Sequence, residues 1–127
     1  MAATLELTEA NFEDTLKKGG ILFIDFWAAW CGPCRAFAPT FEGAAVKHAD
    51  IIFAKVDTEK EKGLAQAFEI RGIPTLAIFR DGLMLGQNAG ALPSEAFEKV
   101  IEQVRAVDMN KVKDEVAGTH SKQASKG

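Results

Sequence analysis

The sequence contains few side chains that could hold a metal ion. Its 127 residues include only two cysteines, Cys31 and Cys34, and two histidines, His48 and His120. A structural zinc site needs four ligands, usually cysteine or histidine. Because His120 lies in the polar C-terminal segment, a zinc site within one chain is a poor interpretation. A site shared between two chains stays open, but we expect no metal site.

A long hydrophobic run is also missing. The longest apolar stretch, residues 21–30, already contains Asp25 and is too short and too polar to cross a bilayer. The N-terminal residues lack the basic start and apolar run of a signal peptide. We therefore expect a cytoplasmic protein that does not bind a membrane. In that compartment disulfides are rare, and a close cysteine pair is more often catalytic or metal-binding than structural.

Charge of one sign is not concentrated anywhere in the chain. The net charge is −3, and acidic and basic residues are interspersed, so no nucleic-acid-binding surface is expected. A chain of this length with 47% hydrophobic residues is typical of one domain with a real core. We expect that domain at residues 1–107, followed by a polar tail at 108–127. Met109, Val112 and Val116 suit an extension of the last helix, whereas the final ten residues are expected to be mobile.

The order of predicted elements is β-α-β-α-β-α-β-β-α. Ile21–Trp27 and Ile51–Asp57 are apolar runs typical of strands buried on both faces. Asp81-Gly82 is a strong turn signal that joins Thr75–Arg80 to Leu83–Leu85 as an antiparallel hairpin. This order predicts an α/β fold with a mixed central sheet and helices on both faces.

The two cysteines stand between a buried strand and the start of a helical pattern. A helix N-terminus favours thiolate over thiol by up to ~2 kcal/mol, or about one pKa unit or slightly more. Only the thiolate attacks a disulfide, so this position points to redox chemistry. We expect Cys31, at an exposed tip, to attack a substrate disulfide, and Cys34 to resolve the mixed disulfide. Two buried, inert cysteines are the alternative.

Asp25 is an acid inside an otherwise apolar strand, which predicts a buried carboxyl group with a raised pKa that assists proton transfer. The alternative is a solvent-facing acid at a strand end. Lys55, in the apolar run of the next strand, is the natural partner for this charge, although a lysine that points into solvent is nearly as good an interpretation.

Several motifs resemble those of the thioredoxin family. Trp30-Cys31-Gly32-Pro33-Cys34 is similar to its active-site motif, and the segments at residues 25–28, 71–75 and 79–82 are similar to its other signatures. These motifs occur in family order over about residues 4 to 107. The resemblance implies the thioredoxin fold, with about five strands in a mixed sheet and about four flanking helices.

The resemblance also implies roles for particular residues. Cys31 would be the nucleophile, Cys34 the resolving thiol and Asp25 the buried acid. Pro74 would follow a cis peptide bond and lie against the cysteines, where the backbone of Ile73 could bind an extended substrate segment. The expected rim for protein substrates consists of Trp30, Gly32, Pro33, Ile73, Gly90 and Ala91. For Trp30 alone, a core position is the alternative.

The dipeptide Gly32-Pro33 resembles that of the reducing family members, which predicts a reductant of protein disulfides. The resemblance implies electrons from an NADPH-dependent flavoprotein, thioredoxin reductase, and implies no cofactor beyond the Cys31–Cys34 disulfide. We expect a monomer. A disulfide isomerase or oxidant, and a redox-independent binding module, are the alternatives. Two departures from the family pattern, Arg35 and Ala29, are expected not to touch the mechanism.

Overall fold

The computed structural model describes residues 3–126, with side chains described as far as residue 117. Within those residues five strands form one sheet: β1 (Leu5–Glu6), β2 (Ile21–Trp27), β3 (Ile52–Asp57), β4 (Thr75–Arg80) and β5 (Leu83–Ala89). The helices are α1 (Phe12–Lys17), α2 (Gly32–Lys47), α3 (Lys62–Ala67), α4 (Ser94–Ala106) and α5 (Met109–Lys126). Over that stretch, no helix is long and apolar enough to cross a membrane.

The sheet is mixed, as predicted. Its strand order is β1-β3-β2-β4-β5, with β1, β3 and β2 parallel to one another. Strand β4 runs antiparallel to both β2 and β5. The two cysteines therefore follow the C-terminal end of the central strand β2, which is hydrogen-bonded on both sides.

Strand β2 is buried on both faces because its alternate residues enter different cores. Ile21 and Phe23 face helices α2 and α4, where phenylalanine rings form most of the core. Leu22, Ile24 and Phe26 face the opposite side, which α1 and α3 cover. The continuous apolar run therefore does not alternate in hydropathy, since both faces need apolar side chains.

The hairpin between β4 and β5 turns at Asp81 and Gly82, whose φ angles are +53° and +81°. Two consecutive positive φ values are typical of a tight turn that matches the strand twist, and glycine adopts them without steric cost. Strand β5 continues beyond the predicted Leu85 to Ala89, which pairs with Thr75. The polar residues of its second half conceal this extension in the sequence.

The tail begins with a separate helix instead of extending α4. Val107 has extended backbone angles, φ −62° and ψ 132°, which end α4. The Asp108 side chain then accepts a hydrogen bond from the Lys111 backbone N–H at 3.2 Å, and α5 begins at Met109, which is buried. Five helices are therefore present in the described residues where about four were expected. The final ten residues were expected to be mobile. Their side chains lie outside the described part of the chain, so this expectation stays a prediction.

Candidate active site

Cys31 and Cys34 form a disulfide at the N-terminus of α2. Cys31 is the N-cap residue, and its Sγ accepts a hydrogen bond from the Cys34 backbone N–H at 3.2 Å. Pro33 lies in the first helical turn, where its missing N–H leaves no unsatisfied acceptor. The helix therefore starts at the cysteine pair, with its free N–H groups directed toward sulfur.

In this oxidised form both cysteines are buried, with Cys31 only 4% exposed and Cys34 2% exposed. The prediction of an exposed tip at Cys31 was wrong for this state. Trp27, Ala28 and Ile73 pack around the disulfide and cover it. The exposed residues of the motif are instead Trp30, before the first cysteine, and Gly32 and Pro33, between the two cysteines.

The Ile73–Pro74 peptide bond is cis, as the resemblance implied. Cys31 Sγ lies 3.7 Å from the Ile73 carbonyl oxygen. A disulfide sulfur carries no hydrogen, so this is a contact in the oxidised form, and only the free thiol would donate. The Pro74 carbonyl accepts a hydrogen bond from the Gly90 N–H at 2.8 Å, which brings the residue 90–91 segment to the same side of the molecule.

The predicted rim residues form a mostly exposed border. Trp30 is 67% exposed, so the core alternative for this side chain was wrong. Its indole Nε1–H donates a hydrogen bond to Glu59 Oε1 at 2.8 Å. Four further residues of the site are exposed: Gly32, Pro33, Gly90 and Ala91. Ile73 is half-buried and Pro74 is buried.

Asp25 is completely buried, and within the described residues neither carboxyl oxygen has a hydrogen-bond partner. Burial raises its pKa to about 7, while the charge of Lys55 lowers the pKa and that of Glu42 raises it. Strand alternation places Asp25 on the same sheet face as Phe23, the face covered by α2. The alternative of a solvent-facing acid was therefore wrong.

Lys55 is the register partner of Asp25 on the neighbouring parallel strand. Among the described residues, however, no ion pair joins the two side chains, since both Asp25 oxygens lack a partner. The Lys55 ammonium instead lies 5.0 Å from the centroid of the Trp27 ring, a cation–π contact. Lys55 therefore acts on Asp25 through space, and the expected direct pairing is not formed.

Sequence reasoning missed two side chains that bond to the active-site loop. Glu59 accepts from the Trp30 indole, and Arg35 Nη1 donates to the Ala29 carbonyl oxygen at 2.9 Å. Arg35 was visible only as a departure from the family pattern, and Glu59 only as one acid of a charged stretch. Over the described residues, no group of three or more His, Cys, Asp or Glu side chains could hold a metal ion.

The family model described as Thioredoxin matches residues 3–103. The chain belongs to the thioredoxin family. It is 48% identical over 117 residues to the "Putative thioredoxin 2" of Streptomyces coelicolor, covering 92% of this chain and 87% of that protein. It is 40% identical over 103 residues to the thioredoxin of Alicyclobacillus acidocaldarius, and this match covers 80% of this chain and 98% of that protein.

A solved structure of a mutant thioredoxin from Halobacterium salinarum is 29% identical to this chain, with a TM-score of 0.76. The match covers 84% of this chain and 96% of that one. The fold is therefore the thioredoxin fold. Together with the Cys31–Cys34 pair, family membership makes the chain a thiol–disulfide oxidoreductase that reduces protein disulfides. The isomerase, oxidant and binding-module alternatives are not favoured.

Proposed function

We propose that Cys31 attacks the substrate and that Cys34 resolves the mixed disulfide. The Cys31 thiolate displaces one sulfur of a substrate disulfide, which leaves as a thiolate and takes up a proton. The Cys34 thiolate then attacks the Cys31 sulfur, forms the Cys31–Cys34 disulfide and releases the second substrate thiol. Two electrons and two protons pass to the substrate. The observation that carries this assignment is the position of Cys31 as the N-cap of α2.

Asp25 is the proton acceptor for the resolving thiol in this proposal. Cys34 must lose its proton before it can attack, and its surroundings are nearly closed to solvent. A carboxyl group with a pKa near 7 exchanges a proton readily at neutral pH. Asp25 lies on the sheet face that α2 covers, and the carboxyl oxygens are not engaged by any other described group.

Substrate segments bind across the disulfide in the proposed mechanism. The Ile73 backbone, next to the cis bond, accepts an extended segment through strand-like hydrogen bonds, and Pro74 lies beneath it. Trp30, Gly32, Pro33, Gly90 and Ala91 form the border. These five residues are all exposed, which suits contact with a protein surface better than enclosure of a small molecule.

The oxidised chain must be reduced again to turn over. We infer that an NADPH-dependent flavoprotein reductase supplies the two electrons, in keeping with the family, and that no cofactor beyond the Cys31–Cys34 disulfide is required. We also propose that the protein works in the cytoplasm as a monomer, without nucleic acid or membrane as partner. The Gly32-Pro33 pair between the cysteines favours the reducing direction.

The proposal is tested by insulin reduction with dithiothreitol as electron donor. We expect Cys31→Ser to abolish catalysis. Pre-reduced Cys34→Ser, freed of dithiothreitol and then mixed with insulin, should trap a mixed disulfide that is visible on a non-reducing gel. Ala36→Ser, at an exposed position of the same helix, is the matched control and should retain full activity. Activity of Cys31→Ser equal to that of the wild type would overturn the proposed nucleophile.

The direction of the reaction is tested by a redox titration of the Cys31–Cys34 pair against glutathione. Thioredoxins have midpoints of about −270 mV, and glutaredoxins have midpoints of about −200 to −230 mV. We expect a midpoint close to the first value. A midpoint in the glutaredoxin range or above it would contradict the assignment as a general reductant.

A further inference from the structure

Residues 28–30, the loop between β2 and the N-cap residue of α2, are held by side chains from two other parts of the chain. Arg35, one turn into α2, donates to the Ala29 carbonyl oxygen at 2.9 Å. Glu59, in the turn after β3, accepts from the Trp30 indole at 2.8 Å. The two bonds fix a backbone carbonyl and the exposed ring of adjacent residues.

The turn that carries Glu59 is itself attached to the end of β2. The Trp27 carbonyl oxygen accepts from both the Thr58 N–H at 2.9 Å and the Thr58 hydroxyl at 3.0 Å. The Glu59 N–H donates to Asp57 Oδ1 at 2.9 Å. The Glu59 carboxylate therefore stands on a turn that is fixed relative to the loop, although the side chain itself is exposed.

Arg35 is attached in a corresponding way on the helix side. Its backbone N–H donates to the Cys31 carbonyl oxygen at 3.1 Å, so its side chain reaches back over the turn that starts at Cys31. Ala28 and Ala29 have no side-chain hydrogen-bonding groups. Side-chain anchoring of this loop must therefore come from elsewhere, and Arg35 and Glu59 supply it.

An indole ring that is 67% exposed lacks the packing that normally fixes a side chain. A free ring would lose rotational freedom when a protein substrate covers it, and that loss weakens binding. Glu59 holds the ring before binding, and Arg35 holds the backbone from which the ring projects. The loss is then avoided, in the same way that supporting hydrogen bonds organise other binding sites in advance.

We propose that Arg35 and Glu59 are positioning residues that hold Trp30 in its substrate-binding orientation. They act through Ala29 and Trp30 and favour protein substrates over small disulfides. The inference rests on the proposed place of Trp30 in the substrate border. It adds to that proposal the two side chains that make the border rigid.

The test compares second-order rate constants for two substrates, measured with pre-reduced protein. Insulin is a protein large enough to cover the Trp30 border, whereas bis(2-hydroxyethyl) disulfide is small and uncharged. We expect Glu59→Ala and Arg35→Met each to slow insulin reduction about threefold to tenfold, the effect of one lost hydrogen bond. The rate with the small disulfide should stay unchanged. Glu59→Gln should resemble the wild type, because the amide oxygen still accepts from the indole.

Glu102→Ala removes an exposed glutamate from α4 and is the matched control for Glu59→Ala, with no expected effect on either rate. A second measurement follows the ring directly. In a Trp27→Phe background Trp30 is the only tryptophan, and its fluorescence anisotropy should decay faster in Glu59→Ala than in Glu59→Gln.

Three results would overturn the inference. These are an unchanged insulin rate in both Glu59→Ala and Arg35→Met, an equal loss for both substrates, and a Glu59→Gln variant as slow as Glu59→Ala. The Trp30→Ala variant shows whether the positioning inference alone is wrong or whether the assignment of Trp30 to the substrate border is wrong as well. If Trp30→Ala slows insulin reduction while Glu59→Ala does not, only the positioning inference fails. If Trp30→Ala has no effect, the border assignment fails too.

Discussion

Asp25 is completely buried in a strand of otherwise apolar residues, and no described group hydrogen-bonds to its carboxyl oxygens. Burying an ionised carboxylate without a partner is unfavourable, so the group retains its proton up to a pH of about 7. A purely structural core would place a leucine or valine here. The acid therefore lowers stability at neutral pH, as is common for residues that serve a reaction.

The pH dependence of folding follows from this pKa. The pKa is about 7 in the folded state and 3.8 in the reference state, so between these values the folded chain binds one more proton than the unfolded chain. Stability contributed by this group therefore falls as pH rises from about 4 to 7, by about 4 kcal/mol in all. We expect Asp25→Asn to be more stable than the wild type at pH 8, and to show little difference at pH 4.

Urea unfolding of the oxidised proteins at the two pH values measures this difference. Asp114→Asn, an exposed acid in α5, is the control and should show no comparable gain. An Asp25→Asn gain that is the same at pH 4 and pH 8 would show that packing, rather than the charge, is responsible.

The helix ends opposite the active site are joined by charged side chains. Arg105 in α4 donates to both carboxylate oxygens of Asp50, at 2.7 and 3.0 Å, and these bonds lower the pKa of Asp50 to about 2. His48 at the end of α2 bonds to Glu98 at 2.8 Å and lowers the pKa of that carboxyl group. Because much of this network is exposed, it orients α2 against α4 more than it stabilises the fold.

Arg80 connects the hairpin to the C-terminal end of α4 and to Val107, which follows it. Its Nη1 donates to the carbonyl oxygens of Val104, Arg105 and Val107, at 2.8, 3.2 and 3.1 Å. Carbonyl groups at a helix C-terminus have no partner within the helix and attract a cation. One guanidinium therefore ends α4 and holds the residues that lead into α5.

We expect Arg80→Met to lower the free energy of unfolding by about 1–3 kcal/mol, because half-buried carbonyl groups lose a charged donor. Amide hydrogen exchange should increase at the end of α4 and in the first turn of α5. Arg71→Met, at an exposed arginine, is the control and should change stability by less than about 0.5 kcal/mol. Unchanged protection at the end of α4 would contradict the capping role.

On the scale of the whole molecule, the active site and the start of the tail lie at opposite ends of the sheet. The cysteines follow the end of β2 at Trp27, whereas Arg80 pairs with Ile21 at the start of that strand. The six steps between Ile21 and Trp27 span about 20 Å. Helix α5 starts on the Arg80 side, where Lys113 lies 3.9 Å from Asp81.

The chain cut after Val107 tests the proposed domain boundary. We expect its rate of insulin reduction to stay within about twofold of the full chain, since the tail starts far from the disulfide. Its free energy of unfolding should fall by about 2 kcal/mol, because Met109 is buried in the full chain and that burial is lost. Urea unfolding and the insulin assay measure both quantities. A folded, shortened chain without activity would contradict the separation of tail and active site.

Features that depend on residues adjacent in the sequence could be predicted from the sequence. The active-site motif, the turn at Asp81-Gly82 and the buried strand β2 are local patterns whose chemistry or periodicity indicates their structure. Because these patterns occur in the order of one family, the fold and the reaction followed as well. The buried state of Asp25 was also predictable, since its apolar neighbours in β2 are adjacent in sequence.

Only the tertiary structure decided which distant groups meet. The Trp30–Glu59 bond joins residues 29 positions apart, and the cover over Cys31 comes from Ile73, 42 positions away. Lys55 was assigned to Asp25 because both lie in apolar runs, yet its ammonium lies on Trp27. Sequence periodicity specifies the face on which a side chain lies, but the contact it makes depends on packing between elements that chain folding brings together.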